Sequence, residues 1–545
     1  MPASPHRIAY FCMEYGLDPD LKTYAGGLGI LAGDHLKGAH DHGHPIVGIG
    51  LKWKQGYGNQ AFDESGQPET VFQNHSYPDE VLEDTGVEVT VTVREADVRC
   101  KVWKTEAFGN VPLYLLDTDL PGNPEPLITD RLYGGSHEER VAQEIVLGIG
   151  GVRALRALDL DVDVYHFNEG HALLAAFELI REKTDEGASY DDALAATRDE
   201  IVFTTHTPVL AGNEQHPIDR LMQMGANNGL TREQLKTLGG APFNMTVGGL
   251  RLARKANAVA QLHGVTANLM WQHVDGRAEI IGITNGVHRP TWVDEAVSDA
   301  ADAGDEALWA AHQENKEALL DLVERRTGTR LQADRLLIGF ARRAVTYKRP
   351  TLIFTEEERI APLLEDGRLQ LVFAGKAHPQ DAGGQKIVAD LAAFAKKYPK
   401  GVVFIPDYDM EVGAAMTRGA DVWLNNPRRP KEASGTSGMK AAMNGVLNLS
   451  TLDGWWPEAC DHGVNGWQFG DGFESPDEAT LDAHDLAALY DVLFGDVLPT
   501  YYDDRARWIA MMRNSIASTR EQFSVERMLK EYAEELYNAA PEVVS

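Results

Sequence analysis

Cysteine is nearly absent. Three thiols, Cys12, Cys100 and Cys460, are scattered over 545 residues without metal spacing. That excludes a disulfide framework and a thiolate metal cluster, and it points to a reducing cytoplasm. Basic charge is also short: 51 Lys and Arg against 82 Asp and Glu leave a net charge of −31. A surface of that sign repels polyanions and argues against a nucleic-acid partner. No apolar run is long enough to span a bilayer, so no membrane partner is expected. The opening Met1-Pro2-Ala3-Ser4-Pro5-His6-Arg7 runs straight into Ile8-Ala9-Tyr10-Phe11. That apolar piece is too short for a signal sequence and reads as a first strand. Repeats and low-complexity tracts are missing as well. What remains is ordinary globular composition, 43% hydrophobic and 24% charged, on a chain too long for one core.

The first half opens strand, loop, helix. Residues 7–11 are the strand, Tyr24-Ala25-Gly26-Gly27-Leu28-Gly29 is a glycine-rich loop, residues 30–40 read as a helix and 45–50 as a second strand. Residues 87–93 alternate like an exposed antiparallel strand. Residues 98–107 and 111–116 continue the pattern and read as a β insertion on the core sheet. Apolar spacing through Val141, Ile145, Leu147 and Val152 makes 138–158 a helix. Two further strands end in histidines: 162–167 leads into Asn168-Glu169-Gly170-His171, and 201–207 carries His206 near its end. Strand carboxyl ends line the ligand crevice of open α/β sheets. Ile281-Gly282-Ile283 leads to Thr284-Asn285-Gly286. The acidic, alanine-rich stretch 294–327 reads as helices. In the second half, strands at 336–340, 369–373, 402–405, 422–424 and 446–449 alternate with helical patterns, which argues for a parallel, doubly wound sheet. Apolar spacing carries one last helix over 505–538.

Two stretches concentrate chemistry. Glu432-Ala433-Ser434-Gly435-Thr436-Ser437-Gly438-Met439-Lys440 reads as a loop and a helix starting near Gly435, stopped by Gly445. A helix start rich in small residues offers N–H groups and a positive dipole end to a phosphate. Lys440, about one and a half turns in, is placed to reach back as a cation or an amine nucleophile. In the other stretch, Arg342, Arg343, Lys348 and Arg349 put four cations into eight positions after a strand. Arginine suits bidentate phosphate contact and lysine acts as a point charge. Isolated, the first would be a Gly/Ser turn and the second a solvated basic turn.

Together these blocks resemble the glycogen and α-glucan phosphorylases, strongest at 25–37, 166–171, 283–286, 339–349 and 432–454. The resemblance implies a GT-B glycosyltransferase architecture with two Rossmann-like doubly wound domains facing a central cleft. The first, 1–286, would bind glucan; the second, 287–545, would bind pyridoxal phosphate and phosphate, with the last helix returning to the first domain. By resemblance Lys440 carries pyridoxal 5′-phosphate covalently, and Arg342, Gly435, Thr436 and Tyr408 contact it. Arg343 and Lys348 bind the substrate phosphate, aided by the glycine loop at Gly26 and Gly27. Glu432 and Ser434 meet the transferred glucose, Asn168, His171 and Asn285 line its pocket, and His206 contacts it near the 6-hydroxyl. Ala258-Val259-Ala260-Gln261-Leu262-His263 resembles the family helix that ends beside the glucan channel.

The implied reaction is reversible phosphorolysis of an α-1,4-glucan or maltooligosaccharide by inorganic phosphate, giving α-glucose 1-phosphate with retained configuration. Two phosphates held about 4–5 Å apart repel by several kcal/mol at an effective dielectric near 20, so clustered cations are required. Two departures from the large phosphorylases stand out: Ser437-Gly438 replaces Gly-Asn, and Asp409 replaces an arginine on the cofactor phosphate. Arg428 or Arg429, bracketed by Pro427 and Pro430 at a strand end, is expected to point inward and offset that missing charge. Two rival readings share the fold: a nucleotide-sugar glucan synthase, which leaves Lys440 unexplained, and an inactive glucan-binding homologue. Trp455, Trp456 and Trp467 would stack on sugars or fill the core. Oligomeric state is open, a homodimer among the options.

Overall fold

The computed structural model describes residues 7–209 and 212–538; the reading made of Met1 to His6 lies outside them. The chain forms two compact units. One takes the described residues of Met1–Gly58, Phe72–Thr284 and Val525–Ser545, the other Asn59–Val71 and Asn285–Ser524. Among the described residues no helix is long and apolar enough to cross a membrane.

The strands run, in chain order, β1 Ile8–Phe11, β2 Ile46–Leu51, β3 Asn59–Phe62, β4 Pro68–Val71, β5 Glu83–Val93, β6 Ala96–Thr105, β7 Leu113–Asp117, β8 Val164–Asn168 and β9 Ile201–Thr205. Then come β10 Gln215–His216, β11 Phe243–Asn244, β12 Lys255–Ala258, β13 Ile280–Gly282, β14 Leu336–Ala341, β15 Leu369–Ala374, β16 Val402–Ile405, β17 Val422–Asn425, β18 Leu447–Thr451 and β19 Gly466–Phe469.

In the first unit nine strands form one sheet, ordered β13-β12-β9-β8-β1-β2-β7-β6-β5. From β13 to β7 the pairing is parallel. Of these, β1, β2, β7, β8 and β9 are largely apolar and buried on both faces, as helix-covered parallel strands must be. β5 and β6 add antiparallel to the β7 edge, and their valines alternate inward. The expected insertion is therefore these two strands alone, while β7 belongs to the parallel core. β1 sits at the topological switch point, with β2 on one side and β8 on the other. The helix Gly27–Asp41 lies close on the chain leaving β1. A Cβ at Gly33 would stand 2.0 Å from the Gly16 carbonyl oxygen.

The second unit has six parallel strands, ordered β16-β15-β14-β17-β18-β19, which is the doubly wound order with its switch point between β14 and β17. The hairpin β3-β4 belongs to this unit. Gln60 donates its backbone N–H to Asp407 Oδ1 at 2.9 Å, and Phe62 meets Phe404 edge to face.

One expectation fails. Residues 505–538 are two helical stretches, Arg505–Thr519 and Val525–Glu531 continuing through Tyr537. The break holds no proline or glycine. Instead the Phe523 carbonyl accepts from Val287 N at 2.8 Å and its ring meets Trp455 edge to face. Apolar spacing continues across the break because both stretches are buried, each in a different unit.

A buried ion pair closes the amino-terminal edge of the second sheet. Lys316 Nζ lies 2.6 Å from Asp421 Oδ2, and His312 Nε2 lies 2.9 Å from Asp421 Oδ1. Burial opposes the Asp421 charge, but Lys316 and His312 outweigh it and hold its pKa below the usual value. Its contribution is thus present above the unfolded value and lost as pH falls through the folded one. Lys316→Met strands a buried carboxylate, at a cost of about 3–5 kcal/mol. Thermal melts at pH 7 are expected to fall by roughly 10 °C, with a smaller deficit near pH 3, where Asp421 no longer needs a cation. An equal deficit at both pH values contradicts the assignment.

Candidate active site

In the first unit the sequence-predicted residues gather at the β1/β8 switch point. Asn168, the last residue of β8, bridges it by donating Nδ2 to Cys12 Sγ at 3.3 Å. Its Oδ1 meets His206 Nε2 just past β9. That bond puts the His206 proton on Nε2 and leaves Nδ1 as an acceptor without a partner among the described residues. Burial, then His263 and His171, push the His206 pKa down to about 3, so the ring is neutral. His171 is likewise held at about 3, chiefly by burial and then by Arg140. Its Nε2 is buried with no hydrogen-bond partner among the described residues.

The glycine loop is tied down by Glu14, which sequence reasoning passed over. Glu14 Oε2 accepts from Ala25 N at 2.6 Å and Gly26 N at 3.0 Å, and Oε1 accepts from Tyr133 Oη at 2.7 Å. A Cβ added at Gly26 or Gly27 meets nothing within 4 Å, and Gly26 has extended φ. The chain's own packing therefore does not demand glycine at these two positions.

In the second unit the site again straddles the switch point. Arg342 follows β14 and donates Nη1 to Asn425 Oδ1, the last residue of β17. Its Nη2 lies 2.8 Å from Glu432 Oε1, and Lys348 Nζ lies 3.4 Å from Glu432 Oε2. Burial works against the Glu432 charge, but Arg342 and Lys348 overcome it and hold the pKa at about 2. Burial first, then Arg342, pull Lys348 down to about 7, with Glu432 opposing. Arg343 differs from both: it is exposed and has no ion-pair partner among the described residues.

Lys440 lies on the helix Thr436–Met443, buried, with Nζ 3.5 Å from the Trp292 ring centroid. The helix starts at Gly435, which has φ 86° and provides no side-chain cap. A Cβ there would come 3.1 Å from Arg342 Nη2. Ser434 Oγ is buried without a hydrogen-bond partner among the described residues. Tyr408 stands at the carboxyl side of β16, where burial and then Asp409 push its pKa up to about 12. Asn285, buried, is the first residue of this unit after the crossing.

Two supports were not foreseen. Asp453 Oδ2 accepts from Glu432 N at 2.9 Å, and Trp455 N donates to Ser434 O at 3.1 Å, so the turn after β18 holds the loop carrying Glu432 and Ser434. Burial and then the Glu432 charge raise Asp453 to about 8. Arg349, buried at φ 49°, joins the Lys348 turn to the chain after β17 by donating to Asn426 O at 2.8 Å and Pro427 O at 3.0 Å. The tryptophans are not sugar platforms: Trp455, Trp456 and Trp467 are all fully buried.

The expected arginine compensation is also corrected. Arg428 is bound to Asp482 at 2.7 and 2.9 Å, and Arg429 to Glu474 at 2.8 Å and the Leu452 carbonyl. Asp409 caps the helix Met410–Gly419 through Val412 N at 2.9 Å and pairs with Arg326 at 2.8 Å. Asp409 is thus engaged by its own helix and by Arg326, which it shares with Glu411, while Arg428 and Arg429 are committed to acids of their own and do not replace the missing cation.

Two doubly wound units, each with polar residues collected at its switch point, are consistent with the GT-B fold. Residues 293–469 match the family described as carbohydrate phosphorylase. The chain is 39% identical to the maltodextrin phosphorylase of Thermococcus litoralis, over 98% of this chain and 70% of that one. It is 38% identical to the glycogen phosphorylase of Mycobacterium tuberculosis, over 99% and 71%, and 37% identical to that of Aquifex aeolicus, over 97% and 86%. The chain belongs to the carbohydrate phosphorylase family.

Proposed function

We propose that the chain catalyses reversible phosphorolysis of an α-1,4-glucan, with Lys440 carrying pyridoxal phosphate. The glycosidic C1–O bond breaks and a C1–O bond to phosphate forms with retained configuration, while the leaving 4-oxygen takes a proton. Phosphorylases of this family work with pyridoxal phosphate. The residues at the second switch point fit it: a buried primary amine on Lys440, a helix start without a cap, the Arg342 guanidinium and the unpartnered Ser434 hydroxyl. Gly435, Thr436, Arg342 and Tyr408 would hold it. When bound, the group supplies a phosphate able to exchange a proton with the substrate phosphate.

The observation that carries the reading is the local charge. Arg342 and Lys348 face one ionised carboxylate, Glu432, Asp453 is kept largely neutral behind it, and Arg343 adds an exposed cation with no ion-pair partner among the described residues. In a chain of net charge −31 this spot has the opposite sign and suits an anion. Arg343 and Lys348 bind the substrate phosphate, and Glu432 and Ser434 take sugar hydroxyls. In the first unit, the bare acceptor on His206 suits the 6-hydroxyl, Asn168 and His171 line the sugar pocket, and Gly26 and Gly27 present amides to phosphate. Asn285 also contacts the glucose. Phosphate release from glucose 1-phosphate with a maltooligosaccharide primer is the direct test. Glucosyl transfer from a nucleotide sugar, with no release from glucose 1-phosphate, overturns the reading.

Lys348 gives the reaction a pH limb. Its charged form declines as pH rises through about 7 in the free enzyme, so kcat/KM for glucose 1-phosphate is expected to fall on the alkaline side. Lys348→Arg keeps its charge throughout and should remove that limb, at a lower maximum rate. An unchanged profile in this variant argues against Lys348 as the titrating group.

A further inference from the structure

Glu169, just past β8, occupies backbone territory that side chains almost never enter: φ 77° with ψ 169°, a region essentially reserved for glycine. The chain is tightly packed directly after this residue. A Cβ on Gly170 would stand 2.8 Å from the Met245 Cβ. Glycine at 169 would make that turn without strain, yet the chain holds a glutamate there.

The carboxylate is fully engaged. Oε1 accepts from His206 N and from Thr207 Oγ1 at 3.0 Å, and Oε2 accepts from Gly170 N at 3.2 Å. His206 and Thr207 follow β9, whereas Glu169 follows β8, so one side chain ties together the ends of two adjacent strands. The strands need no such tie: they pair along their length, and Glu169 N already donates to Thr204 O at 3.0 Å. What the carboxylate adds is a fixed backbone at His206, whose ring is held at its other end by Asn168.

We propose that Glu169 is a positioning residue: its carboxylate fixes the His206 backbone and so aims the bare Nδ1 of that ring at the sugar being transferred. The strained turn is retained because glycine, which would relax it, has no carboxylate. The inference rests on the assignment of His206 to the sugar.

The test compares Glu169→Gly, Glu169→Gln and His206→Ala in the full chain, measuring melting temperature and kcat/KM for the maltooligosaccharide. Glu169→Gly removes strain and carboxylate together. Its melting temperature is expected to hold or rise, while kcat/KM falls by about 10–100-fold, the scale of a misplaced binding group. Glu169→Gln should recover only part of this, because its amide N–H opposes one of the three donors. In the His206→Ala background, adding Glu169→Gly should cost less than about twofold, since both act through one group. A fall in melting temperature with a matching loss of folded protein makes Glu169 a structural stitch and overturns the proposal. The full factor persisting in the His206→Ala background overturns it too, with the site intact. If His206→Ala itself leaves kcat/KM unchanged, the sugar assignment falls first and takes the inference with it.

Discussion

Lys440→Ala is expected to give a folded protein with no covalently attached pyridoxal phosphate and no measurable phosphorolysis. Lys440 is the buried amine on the helix that starts at Gly435. Alanine keeps the helix, since it is the best helix former, and removes the amine assigned to the cofactor carbonyl. Losing the buried side chain whose ammonium lies over Trp292 costs about 0.5–3 kcal/mol, within what a domain of this size tolerates. The melting curve should therefore stay cooperative while activity disappears. In the parent protein, borohydride reduction followed by peptide mapping should place the adduct on Lys440. An adduct on another lysine, or turnover surviving in Lys440→Ala, would remove the basis of the assignment.

How much of this was legible in sequence depends on the kind of information each feature needs. The strands β14 to β18 are apolar runs between amphipathic helices, and such runs report burial directly. The turn at Gly435 and the stop at Gly445 both have positive φ, which is why glycine marks them. Partner choice is another matter. Arg428 finds Asp482, 54 residues on, and Asp409 finds Arg326, 83 residues back. Nothing local in the Arg428-Arg429-Pro430 run predicts either pairing, so an inward-pointing arginine was a reasonable but wrong expectation. Glu169 was hidden differently. Its neighbours Asn168 and His171 drew attention as strand-end residues, but the signal lay in a glutamate at a turn whose geometry calls for glycine, and φ is not readable from residue type. β19 was missed because Gly466-Trp467-Gln468-Phe469 is broken by a glycine and a glutamine, whereas the equally short β16 is an unbroken apolar run.

Arg343→Ala is expected to lower kcat/KM for phosphate by at least two orders of magnitude while leaving stability unchanged. Of the four cations that follow β14, Arg349 is held by Asp482 and Asp485, and the other three differ in what already holds them. Arg342 is committed to Glu432 and Asn425, and Lys348 is close to Glu432. Arg343 is exposed and has no acid partner among the described residues. Its removal leaves no buried charge stranded, so the melting temperature should move by no more than the effect of about 0.5 kcal/mol. A bidentate contact to phosphate consists of two charge-assisted hydrogen bonds, together worth about 3 kcal/mol or more, which is over a hundredfold in rate. Arg343→Lys keeps the charge but not the fork and should fall between the two. Arg342→Ala provides the contrast. It leaves the buried Glu432 carboxylate short of its main cation, so stability should drop by about 3–5 kcal/mol along with activity. If Arg343→Ala retains near-parent kcat/KM for phosphate, or if it destabilises the protein as much as Arg342→Ala does, then Arg343 is not the free cation awaiting the anion.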